Sequence, residues 1–429
     1  MESGRRIRDA SDEPLGTGSL PRLTVGLVAL SLALGAVVAI AVRGMLWAYK
    51  ALTGLVWVRL AETVRLPAFP LLACALGGLL VGLWARHRGR DLDSLETVMA
   101  QVRSTGGYHL ADPAGAVVSF LLPLVFGGAV GPEAGASGII AAAVTWIGEK
   151  LRHAGVAAVR MADATLAAVL ATVFGAPLMG VVGAAEDNAA DYERFTFSRW
   201  PRFVLYASAC LGAVLGALGF SAVFGGAAGL PRFDSPLSLD AGTLPWGILF
   251  AAVGYLLAQL SRLMGGLFAG VARSMGDDPL GKALVCGVAL GVVGLLLPDV
   301  LFSGEDAMRE TMGSWQQTGA VVLLATGLAK LCATQACVSM EWMGGLFFPM
   351  IFSGVSVGYG LAALTGADPM LAVAVVTASL VAGVTRKPLL SLSVLALCFP
   401  LVDLPVMALA AFASGKVPAL VRGEEGNRR

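Results

Sequence analysis

The stretch Gly127-Gly128-Ala129-Val130-Gly131-Pro132-Glu133-Ala134-Gly135-Ala136-Ser137-Gly138-Ile139-Ile140 carries a single carboxylate between apolar runs. Proline is at home in the first turn of a helix, where its missing N–H would have no partner anyway. Gly131-Pro132 ahead of Glu133 therefore predicts a half-helix that opens at membrane depth. Its unpaired N–H groups and the positive end of its dipole face whatever lies in front. Such an end attracts anions. A carboxylate planted there competes with the anion, which suits a gate or a proton carrier. The same residues also suit a plainer role, a glycine-rich helix contact whose glutamate turns to headgroups or a loop. The stretch alone leaves both open.

Outward from it, the composition sets the class. Of 429 residues, 57% are hydrophobic and 14% charged, and the mean hydropathy is +0.78. Apolar segments of roughly 20 residues span a bilayer, and this chain has many. It reads as an all-α polytopic membrane protein, with 55 glycines that suit close helix packing in lipid. A net charge of +1 gives no reason to expect a nucleic-acid partner. Cys74, Cys210, Cys286, Cys332, Cys337 and Cys398 form no CxxC pair and have no histidine companions. No metal site, disulfide framework or cofactor is expected. The sequence has no HExxH, no GxSxG and no protease-like aspartate pair, so an enzyme is not expected.

The chain divides into a polar N-terminal segment (1–22), a first transmembrane half (23–225), a Pro/Gly-rich linker (226–242), a second half (243–414) and a short polar tail (415–429) without CBS domains. Arg5, Arg6, Arg8 and Arg22 place the N-terminus in the cytoplasm by the positive-inside rule; a multi-pass location in the plasma membrane follows. Candidate spans are 23–48, 67–86, 114–130, 133–148, 154–185, 200–224, 243–270, 281–298, 318–338, 344–364, 368–384 and 389–413. Some are too short or too long for one crossing, the pattern of transporters with broken helices.

The halves carry the same punctuation. The break at Gly89-Arg90-Asp91 precedes Gly131 by the interval that separates Ser303-Gly304 from Gly344-Gly345. Gly175-Ala176-Pro177-Leu178 and Arg386-Lys387-Pro388-Leu389 follow at similar distances. Such weak internal symmetry is expected of an inverted repeat, with the site where its broken helices meet.

At this point the residues resemble the CLC family of chloride channels and chloride/proton antiporters, from about residue 67 to 418. Gly344-Gly345-Leu346-Phe347-Phe348-Pro349-Met350 is similar to the family's GGIFAPM segment. Gly131-Pro132-Glu133-Ala134-Gly135 stands at its GREGP, and Ala176-Pro177-Leu178-Met179-Gly180 at its APLAG. Ser303-Gly304 resembles its SGG break, and Val384-Thr385-Arg386-Lys387-Pro388-Leu389 its SVRAPL. Three features depart. No serine matches the family's central anion ligand near Arg88–Asp93, no tyrosine matches the one near the C-terminus, and Pro132 stands where the family has arginine.

The resemblance implies a CLC-like inverted repeat with broken, partly spanning helices. It implies transport of a small anion, chloride first, coupled to proton antiport. A passive channel and a fluoride/proton antiporter are the alternatives. Glu133 becomes the gate, filling an anion site when ionised and swinging away when protonated. Leu346, Phe347 and Phe348, with Ala134, Gly135 and Gly345, become the anion-binding residues, Phe347 as the main backbone donor. Asp187 and Glu186 become internal proton acids, although their polar surroundings equally suit a solvated helix end. Arg160 and Asp163 suit a helix-face pair. Lys330 and Glu341 suit either the anion path or each other. Chloride or a related anion, protons, the bilayer and a second copy in a homodimer are the partners implied.

Overall fold

The structure is a computed structural model describing residues 25–88, 98, 101, 109–110, 112–136, 138–139, 142, 199–225, 231–238 and 242–417. In the first half, α1 (Val25–Gly54) runs on through a π-helical turn, Leu55–Leu60, into Ala61–Val64. There follow α2 (Phe69–Arg88), α3 (Pro113–Val125), a helix opening at Glu133, and α4 (Arg199–Phe224). The second half holds α5 (Leu244–Ser274), α6 (Pro279–Leu296), α7 (Glu305–Ser314), α8 (Ala320–Ser339) and α9 (Phe347–Thr365). It closes with α10 (Pro369–Thr385), α11 (Pro388–Cys398) and α12 (Leu404–Lys416). Seven helices among the described residues are long and apolar enough to cross a membrane.

Two helices begin with one device. Asp278-Pro279 and Asp368-Pro369 put an acceptor at the N-cap and proline at the first helical position. Asp278 accepts from the N–H groups of Leu280 and Gly281, and Asp368 from that of Leu371. Each cap satisfies donors that the first turn would otherwise leave unpaired.

Apolar side chains cover both the interior and much of the outer surface. Leu211, Leu215 and Leu218 of α4 and Ile248 and Leu256 of α5 are exposed. The helices α9 and α10 are buried along almost their whole length, which explains why their apolar residues run all round. Small residues set the helix–helix distances. A Cβ at Gly78 of α2 would lie 2.5 Å from the Ala283 carbonyl of α6, and one at Gly287 would lie 2.4 Å from the Cys74 carbonyl. The α2–α6 contact is therefore backbone against backbone, across the two halves.

The halves are inverted repeats. The series α2, α3 and the Glu133 helix is matched by α6, α8 and α9. Val125, the last residue of α3, stands as far ahead of Gly131 as Ser339, the last of α8, stands ahead of Gly345. Two expected spans are corrected. The first crosses well beyond residue 48, to Val64. The segment expected at 389–413 is two helices, because Pro400 has no N–H to continue α11; a 3-10 turn at Leu401–Asp403 joins them. Residues 231–238, in the expected linker, lie against the second half. The Phe233 N–H donates to the Cys398 carbonyl (2.6 Å), its ring stacks on Phe399 at 4.5 Å, and the Leu237 N–H donates to Asp403.

Candidate functional site

The site forms where α3 and α8 end and two half-helices begin. After α3 the chain turns through Gly127, whose φ of +90° is a backbone conformation that glycine adopts freely. Its carbonyl accepts from the Phe302 N–H at 3.2 Å. Trp57 of the π-helical turn fixes this corner. Its Nε1–H donates to the Val125 carbonyl (2.9 Å), and its ring meets Phe302 edge to face at 5.0 Å. After α8 the chain passes Trp342, fully buried, whose Nε1–H donates to the Ala283 carbonyl (2.9 Å).

The two chains then meet in a short antiparallel bridge. The Gly131 N–H donates to the Gly345 carbonyl at 2.8 Å, and the Gly345 N–H donates to the Gly131 carbonyl at 2.7 Å. Beyond it each chain enters a helix, one at Glu133 and the other at Phe347.

Glu133 is 1% exposed and Phe347 3%. The Phe347 N–H donates to Glu133 Oε1 at 2.7 Å, the length of a charge-assisted bond. The carboxylate of one half thus sits on the helix N-terminus of the other, where both the first-turn N–H and the dipole favour negative charge. The bridge glycines make the room. A Cβ on Gly345 would stand 1.9 Å from Oε1, and a Cβ on Gly131 would stand 1.9 Å from Oε2. Any larger residue at either position would evict the carboxylate.

Other expected residues fall at different distances from this point. Ala134 and Gly135 lie in the first turn of the Glu133 helix and are buried, with Gly135 against the Phe120 ring. Leu346 is the N-cap of α9 and its carbonyl accepts from the Met350 N–H; Phe348 is buried beside it. Gly345 is expected among the anion-binding residues, and its N–H is already engaged. That N–H is spent on the bridge, and the residue serves by having no side chain. Glu186, Asp187, Arg160 and Asp163 lie outside the described residues.

Lys330 does not pair with Glu341. It is fully buried, and Nζ donates to the carbonyls of Val300 (2.9 Å), Leu301 (3.0 Å) and Phe302 (2.6 Å). Arg386 donates to the Gly415 carbonyl at 2.9 Å and also to that of Val417, which ties α10 to the end of α12. Trp57 and Phe302, which hold the Gly127 corner, gave no signal in sequence. They are remote from it along the chain, and their types are ordinary in an apolar run.

Two inverted halves with a buried acid between opposed helix N-termini make an ion-transport architecture. The chain belongs to the CLC family: the family described as voltage gated chloride channel matches residues 72–417. YfeO of Escherichia coli (strain 55989 / EAEC), provisionally named an ion-transport protein, is 27% identical over 400 residues, covering 89% of this chain and 88% of that one. Two solved structures share the fold. A slow cyanobacterial Cl−/H+ antiporter superposes with a TM-score of 0.73 at 16% identity, covering 92% of this chain and 95% of that one. A CLC-type fluoride/proton antiporter superposes with a TM-score of 0.71 at 19% identity, covering 91% and 94%. The chain is therefore a multi-span membrane protein of a family of ion transporters.

Proposed function

We propose that this protein exchanges a small inorganic anion, chloride first, for protons, with Glu133 as the gate. One observation carries the reading: the Glu133 carboxylate accepts from the Phe347 N–H at 2.7 Å. A carboxylate held there occupies the place of an anion. Protonation removes its charge and weakens the bond, since hydrogen bonds to charged groups are about twice as strong as neutral ones. The side chain then leaves, and an anion takes the vacated N–H. A backbone donor suits a transported ion, because it binds without a full countercharge that would hold the ion too long. Ala134, Gly135, Leu346 and Phe348 line the place in this reading. Asp187 and Glu186 are its internal proton acids. The N-terminus lies in the cytoplasm of a cell whose plasma membrane holds the protein as a homodimer.

The test is reconstitution in liposomes with a chloride or a fluoride gradient, recording anion efflux and proton movement together. Proton movement against its gradient, driven by the anion, is the expected result. Glu133→Gln should abolish proton movement and leave anion flux. Anion flux with no proton movement in the unmodified protein would make it a passive channel and sink the antiport reading. Flux in only one of the two gradients identifies the anion.

A further inference from the structure

Behind the site stands a buried cation that the gate does not use. Lys330 of α8 has no exposed surface. Its Nζ sits among the carbonyls of Val300, Leu301 and Phe302 and 5.6 Å from the centre of the Phe352 ring. Three acceptors and no donor surround the nitrogen. An ammonium matches them with three N–H groups, whereas a neutral amine would turn its lone pair onto a carbonyl oxygen. Among the described residues no carboxylate lies within ion-pair distance of Lys330, whose Nζ contacts are the three carbonyls. Its charge is thus solvated by dipoles but not cancelled.

That charge is wired to both sides of the site. Phe302, whose carbonyl holds Nζ, donates its own N–H to the Gly127 carbonyl at the corner that leads to Gly131 and Glu133. Phe302 also has a φ of +62°, an unfavourable conformation outside glycine, so the turn needs something to hold it. Phe352 lies on α9, roughly 7–8 Å along the helix axis from Phe347 at 1.5 Å per residue. In a water-poor interior an uncancelled charge acts well beyond contact distance. Pro132, next to the gate, adds no charge of its own.

We infer that Lys330 is a positioning residue of the anion pathway: its ammonium, held in a ring of three carbonyls, fixes the turn behind the gate and supplies the positive potential that sets anion affinity at the Phe347 N–H. The inference rests on the transport reading above and adds to it the source of the site's positive charge.

The test titrates the purified full-length chain carrying Glu133→Gln with potassium chloride and, separately, potassium fluoride, by calorimetry. The same chain is then titrated with Lys330→Met or Lys330→Gln added; glutamine keeps two N–H donors for the carbonyls and removes the charge together with the third. Both variants should bind about tenfold more weakly, and by the same factor for both anions, because a point charge does not read ion size. Lys330→Arg should stay within about threefold of the parent, since the charge remains. In liposomes the uncharged variants, with Glu133 restored, should raise the anion KM and leave kcat within about twofold. Equal affinity with and without the charge overturns the inference and leaves the transport reading standing. So does failure of both uncharged variants to fold, which would make Lys330 a prop of the fold alone. A parent that binds neither anion removes the transport reading, and this inference with it.

Discussion

Gly345→Ala gives the sharpest test of the seat occupied by Glu133. The added Cβ would stand 1.9 Å from Oε1 and 2.0 Å from Cδ of Glu133, roughly half of an ordinary 3.5–4.0 Å contact. The Gly345 φ is not in the left-handed region, so alanine fits the backbone, and the bridge hydrogen bonds use only main-chain atoms. The damage therefore falls on the carboxylate, which must leave the Phe347 N–H. A hydrogen bond to a charged group contributes about 1.5–3 kcal/mol. If the carboxylate is the gate proposed above, loss of this bond shifts the closed-to-open ratio by about 10- to 150-fold at 1.4 kcal/mol per decade. In liposomes, anion efflux at a pH where the gate is mostly ionised should rise and lose most of its pH dependence, and proton movement should fall towards that of Glu133→Gln. Thermal unfolding in detergent checks that the fold survives. Tightly coupled exchange with unchanged flux in a well-folded Gly345→Ala protein would refute the idea that the carboxylate's seat between the two glycines is its closed position.

Two further outcomes follow from the packing and the charges. Gly287→Val drives a branched side chain into the Cys74 carbonyl, already 2.4 Å from the position of a first Cβ. It should prevent a stable α2–α6 contact, seen as loss of monodisperse protein on size-exclusion chromatography, whereas Gly313→Ala, where a Cβ meets nothing within 4 Å, should behave as the parent. At Glu305, the first residue of α7, burial pushes the carboxyl up to about 7, with Lys50 and Arg309 opposing and Asp306 reinforcing. An acid with a raised pKa binds its proton more tightly in the folded state, so stability falls as pH rises from the usual carboxylate range through about 7. Glu305→Gln should remove that fall, a gain of about 1–3 kcal/mol above pH 8 and little change near pH 4; melting curves across pH measure it, and parallel curves for the two proteins would refute it.

What the sequence revealed and what it concealed have physical causes. The half-helices at Glu133 and Phe347 were legible because close backbone approach leaves a mark that composition cannot hide: glycine where no Cβ fits and proline at an opening turn. The repeat was legible through the same punctuation. The mutual bonding of Gly131 and Gly345 was not, since nothing in either segment says that its N–H will be used by the other. Nor does the sequence say that Gly345 leaves the space in which the Glu133 carboxylate sits. Lys330 read either as lining the anion path or as a partner of Glu341, close to it in sequence; its carbonyl ring is built by a turn some thirty residues earlier, and backbone acceptors have no signature in side-chain types. The break at Phe399-Pro400 was missed because an apolar run of that length looks continuous when hydropathy alone is read.

The bridge also has a meaning for direction. Because it joins positions that correspond in the two inverted halves, the residues that follow at equal distance, Glu133 and Phe347, are twins. One twin contributes a carboxylate and the other a backbone N–H, and in the proposed reading the contact between them is the gate. Two corresponding positions in the repeat thus carry different chemistry, an acid in one half and an aromatic residue in the other. Exchanging the acid between the twins would be expected to turn the proton's access, and not merely its affinity, toward the opposite face of the membrane.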